Sequence, residues 1–424
     1  MSGPATVAGT AEQRDARDPL VGFRERFFIP PHAGGDSVYL CGNSLGLQPK
    51  TAPRYLAEEL EAWKELAVEG HFRGPRPWKG YHEQFAGALA ELTGARENEV
   101  VCMNGLTVNL HLMMVSFFRP SGSRRKILME RPAFPSDRYA VVSQLEFHGL
   151  DPADCLVEVA PREGEAAIRD EDVAAAIDAH ADELAMVLLP GVQYLSGQVM
   201  DMAGLTRRAR ACGALVGLDL AHAVGNVPLS LHDWDCDFAV WCSYKYLNGG
   251  PGAVAGAFVH ERHGSGFSGP RFAGWWGHDA ESRFLMGPDF HPAPGAAGWQ
   301  LSNPPVLGMA ALLASLEIFM EAGMERLRAK SLELTGYLAD RITATCADRV
   351  AIVTPLAPER RGCQLSLRLA GGAERGRGVF RRLAEAGVIC DWREPDIIRA
   401  APAPLYNSYT DVDRFVQALC GALS

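Results

Sequence analysis

The sequence predicts an α/β protein: a mainly parallel sheet covered by helices on both faces, followed by a smaller α+β module. Strand-like and helical runs alternate along most of the chain, the pattern of βα units. Three of the runs, AMVLLPGV, ALVGLDLA and FAVWCSYKY, are apolar on both faces, as inner parallel strands are. After a long helical stretch, short strands and two helices alternate again over about 80 residues, enough for a second domain.

The elements follow in order. EVVCMN reads as a strand, Asn104 and Gly105 as a small turn, and VNLHLMMVSFF as a helix. RKILME is the next strand, then AMVLLPGV with the helix MAGLTRRARACG, then ALVGLDLA, FAVWCSYKY and AVAGAFVH. The stretch from GMAALLASLEIFMEAG to MERLRAKSLELTGYLADRI is one long helical pattern with a Gly-Met break near position 323. Beyond it come QLSLRLA, the helix GVFRRLAEAG, VICDWRE, IIRAAP and the terminal helix DVDRFVQALCGAL.

Composition narrows the function. The chain has 424 residues, 47% hydrophobic and 22% charged, an ordinary globular balance. A net charge of −10 argues against nucleic acid as the main partner. No uninterrupted apolar run approaches the roughly 18 residues of a membrane span, and MSGPATVAGTAEQRDARDPL lacks the apolar core of a signal peptide. We therefore expect a cytoplasmic protein without membrane contact, whose residues 1–18 form a flexible lead. The ten cysteines are scattered without a C-x-x-C pair, which reads as reduced thiols and offers no metal site.

Chemistry concentrates on Lys245, one of six lysines against thirty-five arginines, at the end of an apolar run and before the turn NGGPG. A strand-end lysine is ordinarily a snorkelling surface cation. Asp219 changes that reading, because it closes the neighbouring apolar run ALVGLDLA. A carboxylate closing one strand and an amine at the end of the next are what pyridoxal phosphate needs, one for its pyridinium nitrogen and one to form a Schiff base. A phosphate also needs backbone N–H groups at a helix start, which the turn before Thr107 offers. Phe134, in the proline-punctuated RPAFPSDRYA, is an aromatic available to face a ring, and His222 follows Asp219 closely enough to stack on the ring or orient the carboxylate.

These pieces resemble the kynureninases, fold-type-I pyridoxal phosphate enzymes of the class V aminotransferase group. The resemblance rests on YLCGNSLGLQPK (39–50), GHFRGPRPW (70–78), MNGLTVNLHLMM (103–114), AFPSDRYA (133–140) and LPGVQYLSGQ (189–198). It continues through GLDLAHAVGNVPLSLHDWDCDFAVWCSYKYLNGGPG (217–252), GWWGH (274–278), LSNPPVL (301–307) and IIRAAPAPLYNS (397–408). It implies a seven-stranded-type sheet, a large cofactor-binding domain over 50–305 and a small domain from 19–49 with 306–424. It also implies hydrolytic Cβ–Cγ cleavage of L-kynurenine or L-3-hydroxykynurenine, with pyridoxal 5′-phosphate as cofactor.

Residue by residue, the resemblance makes Lys245 the covalent cofactor anchor and the base for the α-proton. Asp219 would meet the pyridinium nitrogen, with Asp137 and His222 beside the ring and Phe134 stacked on it. Leu106, Thr107 and the Tyr244 hydroxyl would hold the phosphate, joined by Trp275 and Asn303 from the second subunit of a homodimer. Arg399 would clamp the substrate carboxylate, with Ser44 and His71 on the substrate side. Tyr244 would serve as the acid/base group at the carbonyl. Pro190 is left out of the site, because a small polar residue is expected at its position. Polar groups at His71 and Asn303 favour 3-hydroxykynurenine. A cysteine desulfurase or aminotransferase would share Asp219 and Lys245, but a desulfurase calls for histidine where Tyr244 stands. GGPGAVAG (249–256) precedes a strand and not a helix, so a nicotinamide fingerprint fails.

Overall fold

The structure is a computed structural model and describes residues 9–264 and 266–424. Seven strands form the central sheet: β1 (Val100–Cys102), β2 (Lys126–Glu130), β3 (Leu156–Val159), β4 (Leu184–Pro190), β5 (Leu215–Asp219), β6 (Phe238–Trp241) and β7 (Gly256–Val259). Their order is β1-β7-β6-β5-β4-β2-β3, and β7 runs antiparallel to both its neighbours. All seven residues of β4 are buried, which is why AMVLLPGV carries no polar face. Along β2 and β4 successive side chains enter opposite layers: Ile127, Met129, Met186 and Leu188 pack into one apolar cluster, Leu128, Val187 and Leu189 into another.

Helices cover both layers. In chain order the ones that matter here are α1 (Ala11–Asp15), α2 (Ala52–Leu66), α3 (Leu106–Phe117), α4 (Pro135–Phe147), α5 (Met202–Ala211), α6 (Val306–Ala322), α7 (Met324–Cys346), α8 (Gly372–Glu385) and α9 (Tyr409–Leu423). Helices α3 and α4 supply Leu110, Met113, Val141 and Leu145 to one layer, while α5 and α6 supply Leu205, Leu316 and Phe319 to the other. The long helical stretch breaks where its Gly-Met pair stands: α6 and α7 meet at 82° across Gly323, whose φ of 75° a side chain would resist. Among the described residues no single helix is long and apolar enough to cross a membrane.

The second module is a four-stranded antiparallel sheet of β8 (Val350–Ile352), β9 (Leu365–Leu369), β10 (Asp391–Arg393) and β11 (Ile397–Ala400), in the order β8-β9-β11-β10. It has its own core with α7, α8 and α9.

Three sequence expectations change. Residues 1–8 lie outside the described residues, but the rest of the expected lead is folded. Helix α1 packs on α9, the Asp15 carboxylate accepts the N–H groups of Tyr409 and Thr410, and Asp18 pairs with Lys330 at 2.6 Å. Segment 19–49 belongs to no single core: Val38–Tyr39 pairs with Val388–Ile389, whereas Leu20, Phe27 and Leu47 pack into the central one. FAVWCSYKY stops being a strand at Trp241, so Tyr244 and Lys245 sit on a turn.

Candidate active site

The sheet has one place where the chain changes direction. From β2 the chain goes outward to β3, then returns to β4 on the other side and continues to β5 and β6. The carboxyl ends of β2 and β4 therefore border a crevice, the place where open α/β sheets bind ligands. The cavity found there is lined by Glu130 at the end of β2, Pro190, Val192 and Tyr194 from β4 and its loop, and Asp219, Ala221 and His222 after β5. Tyr244 and Lys245 enter from the turn after β6, Leu106 and Thr107 from the start of α3, and Phe134, Ser136 and Asp137 from the start of α4.

Lys245 is held by its neighbours. His222 Nε2 lies 3.0 Å from its Nζ, and the rings of Phe134 and Tyr244 stand 5.8 and 5.9 Å away. Burial, followed by the charge of Lys245, holds His222 well below the usual imidazole range, so the ring is neutral and its Nε2 accepts from the amine. The turn itself is clamped from far along the chain. Gly46 N–H donates to Tyr244 O at 2.8 Å, and a Cβ on Gly46 would lie 2.3 Å from Asn248 Oδ1 and 2.4 Å from Lys245 O. That contact is the physical reason for glycine in GNSLG.

Carboxyls gather opposite the amine. Asp219 Oδ1 accepts the Ala221 N–H at 2.7 Å. Burial and then the adjacent Asp219 carboxyl push Asp137 well above the usual range, and Asp137 Oδ1 is left without a partner. Burial also raises Tyr244, with Cys242 next, so its phenol keeps its proton at neutral pH and acts as a donor.

The residues fit the expected pyridoxal phosphate. Helices α3 and α4 both open on the cavity with caps, Gly105 and Phe134, that make no side-chain hydrogen bond; α3 offers a phosphate the N–H groups of Leu106 and Thr107, and α4, which begins at Pro135 and bonds its Asp137 N–H to Phe134 O, offers that of Ser136. Asn104, at φ 50°, makes the turn that aims α3, and Thr107 Oγ1 lies 2.9 Å from Ser136 Oγ between the two helix starts. A ring nitrogen that carries a proton would supply what the Asp137 and Asp219 carboxyls lack.

The structure brings Leu106, Thr107, Phe134, Asp137, Asp219, His222, Tyr244 and Lys245 together as the sequence predicts. It corrects one expectation and narrows another: Pro190 lines the cavity, and His222, expected either beside the ring or orienting Asp219, meets the lysine, with no bond to Asp219 among the described residues. Arg399 is 1% exposed and stands one layer behind, ion-paired with Asp391 and donating to Tyr194 O at 2.7 Å. Ser44, His71, Trp275 and Asn303 lie outside the cavity of the single chain. Ser44 sits in a turn whose N–H bonds Cys41 O, His71 packs edge-on to Trp78 at 5.4 Å, Trp275 is 44% exposed, and Asn303 is exposed. Sequence reasoning missed Glu130, Ser136, Val192 and Tyr194. For Glu130 a signal exists: RKILME ends in a carboxylate closing an apolar strand, as ALVGLDLA does.

Comparison with known proteins agrees with this geometry. A family model for the kynureninase C-terminal domain matches residues 327–419. The kynureninase of Koribacter versatilis is 57% identical over 99% of this chain and 98% of its own length. That of Stenotrophomonas maltophilia is 58% identical over 95% of each chain. Among solved structures, a C-DES mutant with glycine covalently linked to its PLP cofactor superposes with a TM-score of 0.76 at 18% identity, covering 91% of this chain and 96% of the other. The Escherichia coli cysteine desulfurase CsdA gives 0.74 at 18% identity, covering 95% and 98%. These two share the fold.

Proposed function

Because this chain belongs to the kynureninase family, we propose a division of labour among its own side chains for the reaction of that family. The protein is a pyridoxal 5′-phosphate hydrolase acting on carbon–carbon bonds, which cleaves the Cβ–Cγ bond of L-kynurenine or L-3-hydroxykynurenine to L-alanine and the matching anthranilate. When bound, the cofactor supplies an electron sink next to the substrate amine.

Lys245 anchors the cofactor and moves the α-proton, and its contact with His222 Nε2 keeps the amine pointed into the cavity. Asp219, with Asp137 beside it, would hold the ring nitrogen of the bound cofactor, and Phe134 would pack against the ring. Leu106 and Thr107 at the start of α3, Ser136 at the start of α4, and the Tyr244 hydroxyl hold the phosphate. Tyr244, kept protonated by burial, gives a proton at the substrate carbonyl. Arg399, buried behind the cavity with its Nε unpartnered among the described residues, takes the substrate carboxylate as a charged donor. The large domain (50–305), whose core also takes in α6 and part of segment 19–49, carries the cofactor, and the small domain beyond α6 carries Arg399 on β11.

The observation that carries this reading is the convergence of Lys245, Asp219 and the two uncapped helix starts on one cavity. Its test is a spectrum: purified protein should absorb in the band of lysine-bound pyridoxal phosphate, and borohydride should fix the cofactor on Lys245. Trapping on another lysine would overturn the assignment.

The assembly is a cytoplasmic homodimer with shared sites. What supports it is the exposed position of Trp275 and of Asn303, the latter next to an apolar groove of Trp63, Trp78, Pro304, Pro305 and Leu307. Co-refolding inactive Lys245→Ala with inactive Asn303→Ala chains should restore part of the activity, and no restoration would refute the sharing. His71 and Asn303, brought in at that interface, bond the ring hydroxyl of 3-hydroxykynurenine, the preferred substrate. Measured kcat/KM for both compounds on wild type and on His71→Phe with Asn303→Thr checks this. A wild type that prefers unsubstituted kynurenine, with no change in the double variant, would refute the preference.

A further inference from the structure

Glu130 lines the cavity without a task in this division of labour. It closes β2 at the switch point, is 4% exposed, and apart from its own backbone N–H receives no hydrogen bond among the described residues. Three carboxyls, Glu130, Asp137 and Asp219, thus share one cavity with a single amine, Lys245.

The other groups facing Glu130 bring no compensating cation. His222 is neutral, and Tyr194, from the loop after β4, is a phenol whose proton burial holds more firmly than usual. Glu158 of β3 adds a further carboxylate, and the Arg138 of α4 that accompanies it is spent on that residue at 3.0 Å. Carboxyls crowded into one water-poor site cannot all ionise, and Glu130, with only its own N–H to favour an anion, keeps its proton.

We propose that Glu130 is a positioning residue of the cofactor cavity, a neutral carboxylic acid whose retained proton leaves Asp219 as the anionic partner of the cofactor ring. The inference rests on the cofactor reading of the cavity. Burial pushes Glu130 up to about 8 against the pull of its own N–H, with Asp219 and Glu158 adding to the rise. Above that pH a second negative charge faces Asp219, and the preference that places one anion at the ring is lost.

The test begins with apoprotein, so that it does not depend on the loaded enzyme. In wild type, a carboxylic-acid C=O infrared band should titrate near pH 8, and Glu130→Gln should remove it. Stability gives a second reading. A carboxyl raised in the folded state contributes stability below its unfolded value and loses it as pH rises through the folded value. The Tm advantage of Glu130→Gln over wild type should therefore widen by a few degrees between about pH 5 and about pH 9. In holoenzyme, an alkaline limb of kcat/KM near pH 8 should vanish in Glu130→Gln. A titration near pH 8 that keeps its full amplitude in Glu130→Gln, beyond whatever the raised Asp137 carboxyl contributes in both proteins, or a Tm difference that does not move with pH, overturns the proposal. If Glu130→Gln does not fold, NMR of wild type with 13C-labelled glutamate carboxyls decides: no resonance titrating near pH 8 is equally fatal. Failed borohydride trapping on Lys245 with an intact Glu130 titration would sink the cofactor reading instead.

Discussion

Glu99 and Asp237, just before the amino ends of β1 and β6, are as inaccessible as Glu130 and Asp137 at the other end of the same sheet, yet the two pairs behave oppositely. Glu99 accepts the N–H groups of Arg96 and Glu261 and a bond from His232, at 2.9, 2.8 and 2.9 Å. Asp237 accepts from the Val216 N–H at 2.7 Å, Arg262 at 2.6 Å and His263 at 2.8 Å. Burial pushes both carboxyls upward, the donors outweigh it, and both end below the ordinary range. At the cavity end burial meets little more than Glu130's own N–H, and both carboxyls rise. Equal burial with opposite outcomes separates scaffold from site: one end of the sheet is complete in itself, while the other holds polar groups whose partner is a ligand.

The comparison breaks first at the cavity end if Lys245→Ala, with unchanged circular dichroism, keeps activity. We expect a loss in kcat/KM of at least about 10²-fold, the usual worth of a proton-transfer group. At the scaffold end, Asp237→Ala removes the acceptor shared by the Val216 N–H, Arg262 and His263, while Arg262 keeps Asp235, and should lower stability by about 1–3 kcal/mol in a denaturant titration. Activity per folded molecule should barely move, and a selective loss of activity would erase the distinction between the ends. The pH dependences should differ too. Asp237 lies lower in the folded state than in the unfolded one, so its contribution is present above about pH 4 and is lost as pH falls below that. Asp237→Ala should flatten the acid limb of a Tm-against-pH curve. Gly46→Ala, which pushes a methyl into the lysine turn, should cost about 1–3 kcal/mol and weaken cofactor binding measured by fluorescence quenching. The smallest effect belongs to Ser136→Ala, where one hydroxyl among several donors to the charged phosphate is lost, worth about tenfold in cofactor Kd.

Much of the cavity was legible because its residues sit where local patterns change. Lys245, Asp219 and Thr107 each mark the point at which an apolar run meets a turn, and both-face apolar strands such as AMVLLPGV need no partner to be recognised. Glu130 and Pro190 were not legible in the same way: they face the ligand because β2 and β4 are neighbours on opposite sides of a reversal, and strand order is a long-range property. Strand β3 escaped notice because LVEV lies at the sheet edge, half-exposed and partly polar. The bond from Gly46 to the lysine turn spans nearly half of the chain and leaves no local trace beyond the glycine itself. His71 and Asn303 carry a family pattern that a single chain does not assemble.

The two uncapped helix starts have a practical side. Backbone N–H groups recognise a tetrahedral oxyanion by charge and size and are nearly indifferent to what is attached to it. Inorganic phosphate and sulfate should therefore occupy the apoprotein at the starts of α3 and α4 and compete with the cofactor for reconstitution. Apoprotein dialysed into a buffer without tetrahedral anions should regain its cofactor at lower added concentrations than apoprotein kept in phosphate, and the choice of buffer becomes part of any affinity measured for this protein.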